Sequence, residues 1–172
     1  MIRNDDFITA KFHTFIGPKP EEVQCMPFVS AVGKDIVRLQ ISRLGVNDYI
    51  ELSIPVEIAA HLGTAILTGD VNEISREYEE LGDKMRVGDA CGYYCSWTGK
   101  DWLQAIAYGV DEDQRIVLML FDIDTSQQIS FKDKMVSFSV YFPEAEFYEL
   151  GRNLRIAADS IEMAEERKFL NL

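Results

Sequence analysis

The sequence is poor in the residues that announce chemistry. Histidine occurs twice, as His13 and His61, and cysteine three times, as Cys25, Cys91 and Cys95. An odd cysteine count in a chain of this length excludes a fully paired disulfide framework. Cys91 and Cys95 are spaced C-x-x-x-C, but a zinc site needs about four ligands, and both histidines are remote in sequence. The thiols therefore read as small buried hydrophobes. A nucleophile and base pair would need a histidine near a serine or cysteine. His61 sits mid-helix among alanines as a structural residue, and His13 points outward from a strand. The Gly-Lys stretches "VGKDI" and "TGKDW" lack the spaced glycines and following Ser/Thr of a phosphate loop, and read as hairpin turns. "DIDTS" lacks the glycine and distal glutamate of a calcium loop. No catalytic residue, metal site or cofactor is assigned, and an enzyme is the least favoured class.

Long hydrophobic runs are also missing. No apolar stretch approaches the roughly 18 residues of a membrane span, and "MIRNDDFITAKF" carries charges where a signal peptide needs its apolar segment. The expectation is a soluble, cytoplasmic protein with no membrane partner. The 47% hydrophobic content is enough to build a sizeable core in 172 residues.

What the chain has in excess is negative charge, a formal −12 at pH 7. Such a balance counts against phosphate contacts, which need Lys and Arg. The excess is uneven. Residues 1–48 hold six basic and six acidic side chains, so all of it lies in residues 49–172, within the linker and helices above all.

Apolar and polar residues alternate in several segments, the mark of half-buried strands. "DFITAKFHTF", "MPFVSAV", "IVRLQIS" and "YIELSI" read as four strands, and Pro55 then opens a helix at a position where its missing N–H is not needed. "CGYYCSW", "DWLQAIAYGV", "RIVLMLFDI" and "MVSFSVYF" read as four more, and Pro143 opens a second helix with a stripe of Leu150, Leu154, Ala158 and Ile161. In both halves a Leu-Gly pair falls at the same distance from the proline, ending at Gly63 and Gly151. The fold class expected is α+β, with two ββββα repeats, antiparallel sheets and helices packed together. The units run over residues 1–69 and 90–172 of a single domain. Between them, residues 70–89 read as a linker helix capped by Asp70 with a stripe of Ile74, Tyr78 and Leu81.

Two segments ask for cover on more than one side. The helix after Pro55 has a narrow polar stripe of Glu57, His61, Thr64 and Thr68. Its remaining breadth predicts a subunit contact in a homo-oligomer or burial between the two units of one chain. The strand around residues 116–123 is apolar on both faces, which implies a partner layer.

The outward phase of the strands supplies the candidate site. It collects Lys11, His13, Arg38, Gln40, Tyr49, Trp102, Gln104, Tyr108 and Tyr141. Aromatic platforms with basic groups that follow a backbone are how single-stranded nucleic acid is held. In this reading Lys11 and Arg38 contact phosphates, and Trp102, Tyr108 and Tyr141 stack on bases.

The stretch "IVRLQISRLGVNDYIELSIPVEIAAHLGTAI" looks similar to a repeat of the purine-rich-element-binding (Pur-alpha-like) family, and the order of elements resembles that family and the Whirly family. The Lys-Gly-Lys-rich strand motif of Whirly proteins has no counterpart here. The resemblance implies single-stranded DNA or RNA bound along the sheets, and an oligomer formed through helices. The competing class is an acidic interaction module, an inhibitor or adaptor that meets a basic protein partner through its carboxylate-rich helices.

Overall fold

The computed structural model describes residues 8–13, 22–45, 49–69, 91–110, 115–124 and 135–170. The expected linker helix over 70–89 lies outside them. The described chain is α+β with antiparallel pairing throughout. Four strands come first: β1 (Thr9–His13), β2 (Glu22–Val32), β3 (Ile36–Arg43) and β4 (Tyr49–Pro55). Helix α1 (Val56–Thr68) follows, then β5 (Cys91–Thr98), β6 (Trp102–Val110), β7 (Ile116–Asp124) and β8 (Met135–Phe142), and finally helix α2 (Glu144–Leu170). Among the described residues no helix is long and apolar enough to cross a membrane.

The compact units do not follow the order of the chain. One comprises Met1–Cys25 and Asp70–Glu144, the other Met26–Gly69 and Ala145–Leu172. β2 passes through both.

In the first unit the strand order is β2, β1, β8, β7, β6, β5. The two ends of the chain segment meet where Thr9 pairs with Tyr141 of β8 and, on its other side, with Gln24 of β2. Cys25 donates its N–H to the Ile8 carbonyl at 3.0 Å. In β7, Val117 to Phe121 are all buried, so both faces of this strand are covered, as its two-faced apolar sequence requires.

In the second unit the order is β2, β3, β4. Val37, Leu39 and Ile41 of β3 alternate with Arg38, Gln40 and Ser42, and pair with Ile54, Leu52 and Ile50 of β4. All six apolar residues are buried, each worth about 1.5–3 kcal/mol relative to exposure. α1 packs against this apolar face of β3 and β4. Its start is fixed by the Val56 N–H, which bonds to the Asp35 carbonyl of the β2–β3 turn at 2.8 Å. Pro55 is the last strand residue, paired with Ile36, so the helix begins one residue after the position expected for it.

The two Leu-Gly pairs have a spatial counterpart. Gly63 of α1 and Gly151 of α2 lie against each other. A methyl on Gly63 would stand 2.8 Å from the Gly151 carbonyl oxygen, and one on Gly151 would stand 3.4 Å from the Gly63 oxygen. Absent side chains let the helix backbones approach where larger residues would hold them apart. Arg155 secures the crossing from α2. It donates to the Ala60 carbonyl and the Thr64 hydroxyl of α1, each at 3.4 Å, and pairs with Asp159 at 3.0 Å.

This packing accounts for the apolar breadth of α1. Ala59, Ala60, Leu62, Gly63 and Ile66 are buried, and Glu57, His61, Thr64 and Thr68 form its exposed stripe. Of the two kinds of cover the sequence offered for this helix, β3, β4 and α2 of the same chain supply burial within one chain. The stripe expected on α2 is likewise buried, with Phe147 added to it.

Candidate nucleic-acid interface

A three-stranded antiparallel sheet covered by helices on one side leaves its other side to solvent. In the second unit that side carries Arg38, Gln40, Ser42, Tyr49, Glu51 and Ser53, all half-buried or exposed. Their placement follows from strand alternation, since every intervening residue is drawn to the helices. The turn Gly33–Asp35 joins Val32 to Ile36 with Gly33 in the left-handed region at φ 67°. The even-numbered residues of β2 therefore share the phase of Arg38 and Gln40, and Phe28 is 61% exposed and Met26 57%. Tyr49 is 57% exposed at the outer strand. Two aromatic rings and a methionine thus stand on an uncovered sheet, with Gln40 between the rings and Arg38 one row beyond it on the same strand.

The charge on this face is nearly balanced. Arg38 Nε meets Glu51 Oε1 at 2.7 Å, both side chains partly exposed. Such a pair contributes at most about 1 kcal/mol to stability. It orients the guanidinium and offsets much of its charge. Lys34, exposed in the β2–β3 turn, adds a further cation.

The remaining candidates belong to the first unit, and its sheet does not hold them on one face. Tyr108 stands opposite Leu118, and Leu118 opposite Val140; Tyr141 follows Val140 and so projects the other way. Tyr108 is 1% exposed, which corrects its outward placement. Strand β6 is covered on both faces from Ala105 to Gly109, so alternation there separates two buried sides instead of a wet and a dry one. Tyr141 packs on a cluster of Ala105, Ala107, Val117, Met119 and Phe121. The Arg115 guanidinium lies 4.0 Å from its ring centroid, taking one face of the ring.

Trp102 and Gln104 share the phase of Tyr108. Trp102, 39% exposed, opens β6 after the Gly99–Asp101 turn, and its indole lies over Gly99, where any side chain would collide with it. Gln104 Nε2 donates to Asp122 Oδ1 at 3.5 Å across the β6–β7 ladder. Lys11 and His13 stand on β1 in register with Ser139 and Ser137 of β8. Their side chains lie outside the described residues.

The sequence therefore located Arg38, Gln40 and Tyr49 together and missed Met26 and Phe28. The segment "MPFVSAV" is apolar in both phases, so alternation assigns it no outer side. The signal lay in the turn, whose length carries the phase of β3 back onto β2.

The Cys25 thiol is buried. Burial pushes its pKa from the ordinary 9.0 to about 12, and its Sγ lies 3.7 Å from the Ile8 carbonyl oxygen. This is a packed, unreactive cysteine. Among the described residues no group of three or more His, Cys, Asp or Glu side chains could hold a metal ion. Comparison with protein-family models, curated proteins and solved structures gives no match.

Proposed function

We propose that the chain binds single-stranded DNA or RNA, without catalysis, on the open face of β2–β4. The observation that carries this reading is the company kept by Arg38: Phe28 and Tyr49 exposed on the same uncovered sheet, with Gln40 between them. Bases stack on aromatic rings whatever their sequence, while a guanidinium and an amide serve the backbone. The order of elements, four strands and a helix taken twice, supports a duplicated ββββα unit of the Whirly and Pur-alpha-like kind. The reciprocal contact of Gly63 with Gly151 supports it further, since equivalent positions of two related units meet. In this reading the protein works in the cytoplasm as a homo-oligomer.

The test is fluorescence anisotropy with labelled oligo-dT and oligo-rU over a salt series. Stacking is worth about 1–3 kcal/mol per base, so Phe28→Ala and Tyr49→Ala each weaken binding about fivefold to a hundredfold. Both side chains are exposed, and the variants keep their fold by circular dichroism. Arg38→Ala lowers the salt slope, because a phosphate contact is lost. If the wild-type protein binds neither oligonucleotide at about 50 mM salt, where phosphate contacts are strong, the reading fails. The acidic-module reading then takes its place. It is favoured by the exposed Glu162, Glu165 and Glu166 of α2, and predicts salt-sensitive binding to poly-lysine.

A further inference from the structure

A carboxylate is an odd tenant for a face that meets phosphates. Glu51 stands on β4 between Tyr49 and Ser53, opposite Gln40 and one row from Arg38. A phosphate backbone rewards cations and is repelled by anions. An acceptor is of no use to the backbone of single-stranded DNA either, since neither its phosphates nor its deoxyribose carries a donor. The backbone of RNA does carry one, the 2′-hydroxyl.

The pair that Glu51 makes with Arg38 leaves room for such a partner. Glu51 Oε1 lies 2.7 Å from Arg38 Nε, with the side chains 32% and 40% exposed. Yet Nε, itself buried, has no hydrogen-bond partner. The distance is that of a close ion contact, but the N–H is not aimed at the oxygen. Opposite charge therefore holds the two groups together without a directed bond. A guanidinium has five N–H donors and a carboxylate about four lone-pair sites, so most of the capacity of both is unspent by this contact. What completes the pair must offer an acceptor to the arginine and a donor to the glutamate, close together. A ribonucleotide does so: its phosphate oxygens accept, and its 2′-hydroxyl donates from the carbon next to the one that bears the 3′-phosphate. A deoxyribonucleotide offers the acceptor alone.

We infer that the face selects RNA over DNA, with Arg38 on a phosphate and Glu51 accepting the hydrogen bond of the neighbouring 2′-hydroxyl. This selectivity rests on the nucleic-acid reading of β2–β4 and narrows it to one polymer. Bases also carry donors that a carboxylate can take. Glu51, however, is tied to the guanidinium and so lies on the track of the backbone, while Phe28 and Tyr49 stack the bases. The carboxylate repels the phosphates of both polymers, and only RNA recovers that cost through the hydroxyl. Glu51 thus discriminates by penalising the wrong ligand as well as by rewarding the right one.

Fluorescence anisotropy with labelled oligomers of one length and one base, uracil, separates the sugars: ribose, deoxyribose and 2′-fluoro-deoxyribose. The 2′-fluoro sugar keeps the ring pucker of RNA but has no hydrogen to donate. The wild-type protein binds the ribose oligomer about tenfold more tightly than the deoxyribose one, the equivalent of 1.4 kcal/mol, and the 2′-fluoro oligomer ranks with deoxyribose. In Glu51→Ala the gap closes, because deoxyribose binding strengthens once a charge that repels phosphate is gone while ribose binding loses its acceptor. Circular dichroism checks that the variant is folded, and the 2′-fluoro comparison needs no variant. Equal wild-type affinity for ribose and deoxyribose oligomers overturns the selectivity and leaves the nucleic-acid reading standing. A ribose preference that survives in Glu51→Ala, or that the 2′-fluoro oligomer shares, also overturns it. Binding of none of the three removes the reading beneath it as well.

Discussion

Two glycines set the distance between α1 and α2. Helix propensity alone would reward replacing either with alanine by about 1 kcal/mol. The contact reverses the sign. An added methyl on Gly151 would lie 2.5 Å from Ile66 Cγ2 and 2.8 Å from its Cβ, both atoms of a buried side chain. On Gly63 it would press on backbone, the Gly151 oxygen at 2.8 Å and the Arg155 nitrogen at 3.0 Å. We expect Gly151→Ala and Gly63→Ala to destabilise by about 1–3 kcal/mol each, with Gly63→Ala the worse because backbone yields less than a side chain. Urea titration measures both. Cys25 gives a pH signature of opposite chemistry. Its folded pKa, about 12, lies above the ordinary 9.0, so its contribution is complete below about pH 9 and falls away as the pH rises toward 12. Cys25→Ala should remove that part of the alkaline decline in the urea midpoint, and an unchanged slope would show that other groups carry it.

At the scale of elements, sequence pattern was most informative where a segment has one wet side. β3 and β4 alternate cleanly, and Arg38, Gln40 and Tyr49 fell where their phase placed them. β6 defeated the same reasoning. Tyr108 shares the phase of Trp102 and Gln104 and is placed outward with them, whereas both sides of this strand are buried from Ala105 to Gly109. The linker residues 70–89 put the helix expected there beyond the described chain. The partnership of strands was not legible either: nothing local in "ITAKF" says that Thr9 to His13 will pair with Tyr141 to Ser137, because such a choice is made by residues more than a hundred positions away. A test at this scale concerns the β3–β4 ladder. Glu51→Gln leaves the fold in place at a cost of at most about 1 kcal/mol, and it releases Arg38 from the pair at 2.7 Å. Single-strand affinity should then rise and its salt slope steepen, as read by anisotropy; unchanged binding would remove Arg38 from the interface.

Taken as a whole, the molecule makes its second unit from two distant parts of the chain, Met26–Gly69 and Ala145–Leu172. That division has a consequence for synthesis. When residue 69 leaves the ribosome, the side of α1 that Gly151 and Arg155 will meet has no partner, and β5 to β8 must still be translated before α2 exists. At about 5–20 residues per second, the nascent protein spends several seconds with that surface bare. Long loop closure comes before the contact that rewards it. Chains stalled with residue 143 newly emerged should accordingly be cut readily within α1 by protease and retained by trigger-type chaperones, whereas chains extended past Leu170 should be released and resistant. Resistance already established at the earlier stall would mean that α1 finds its shelter without waiting for α2.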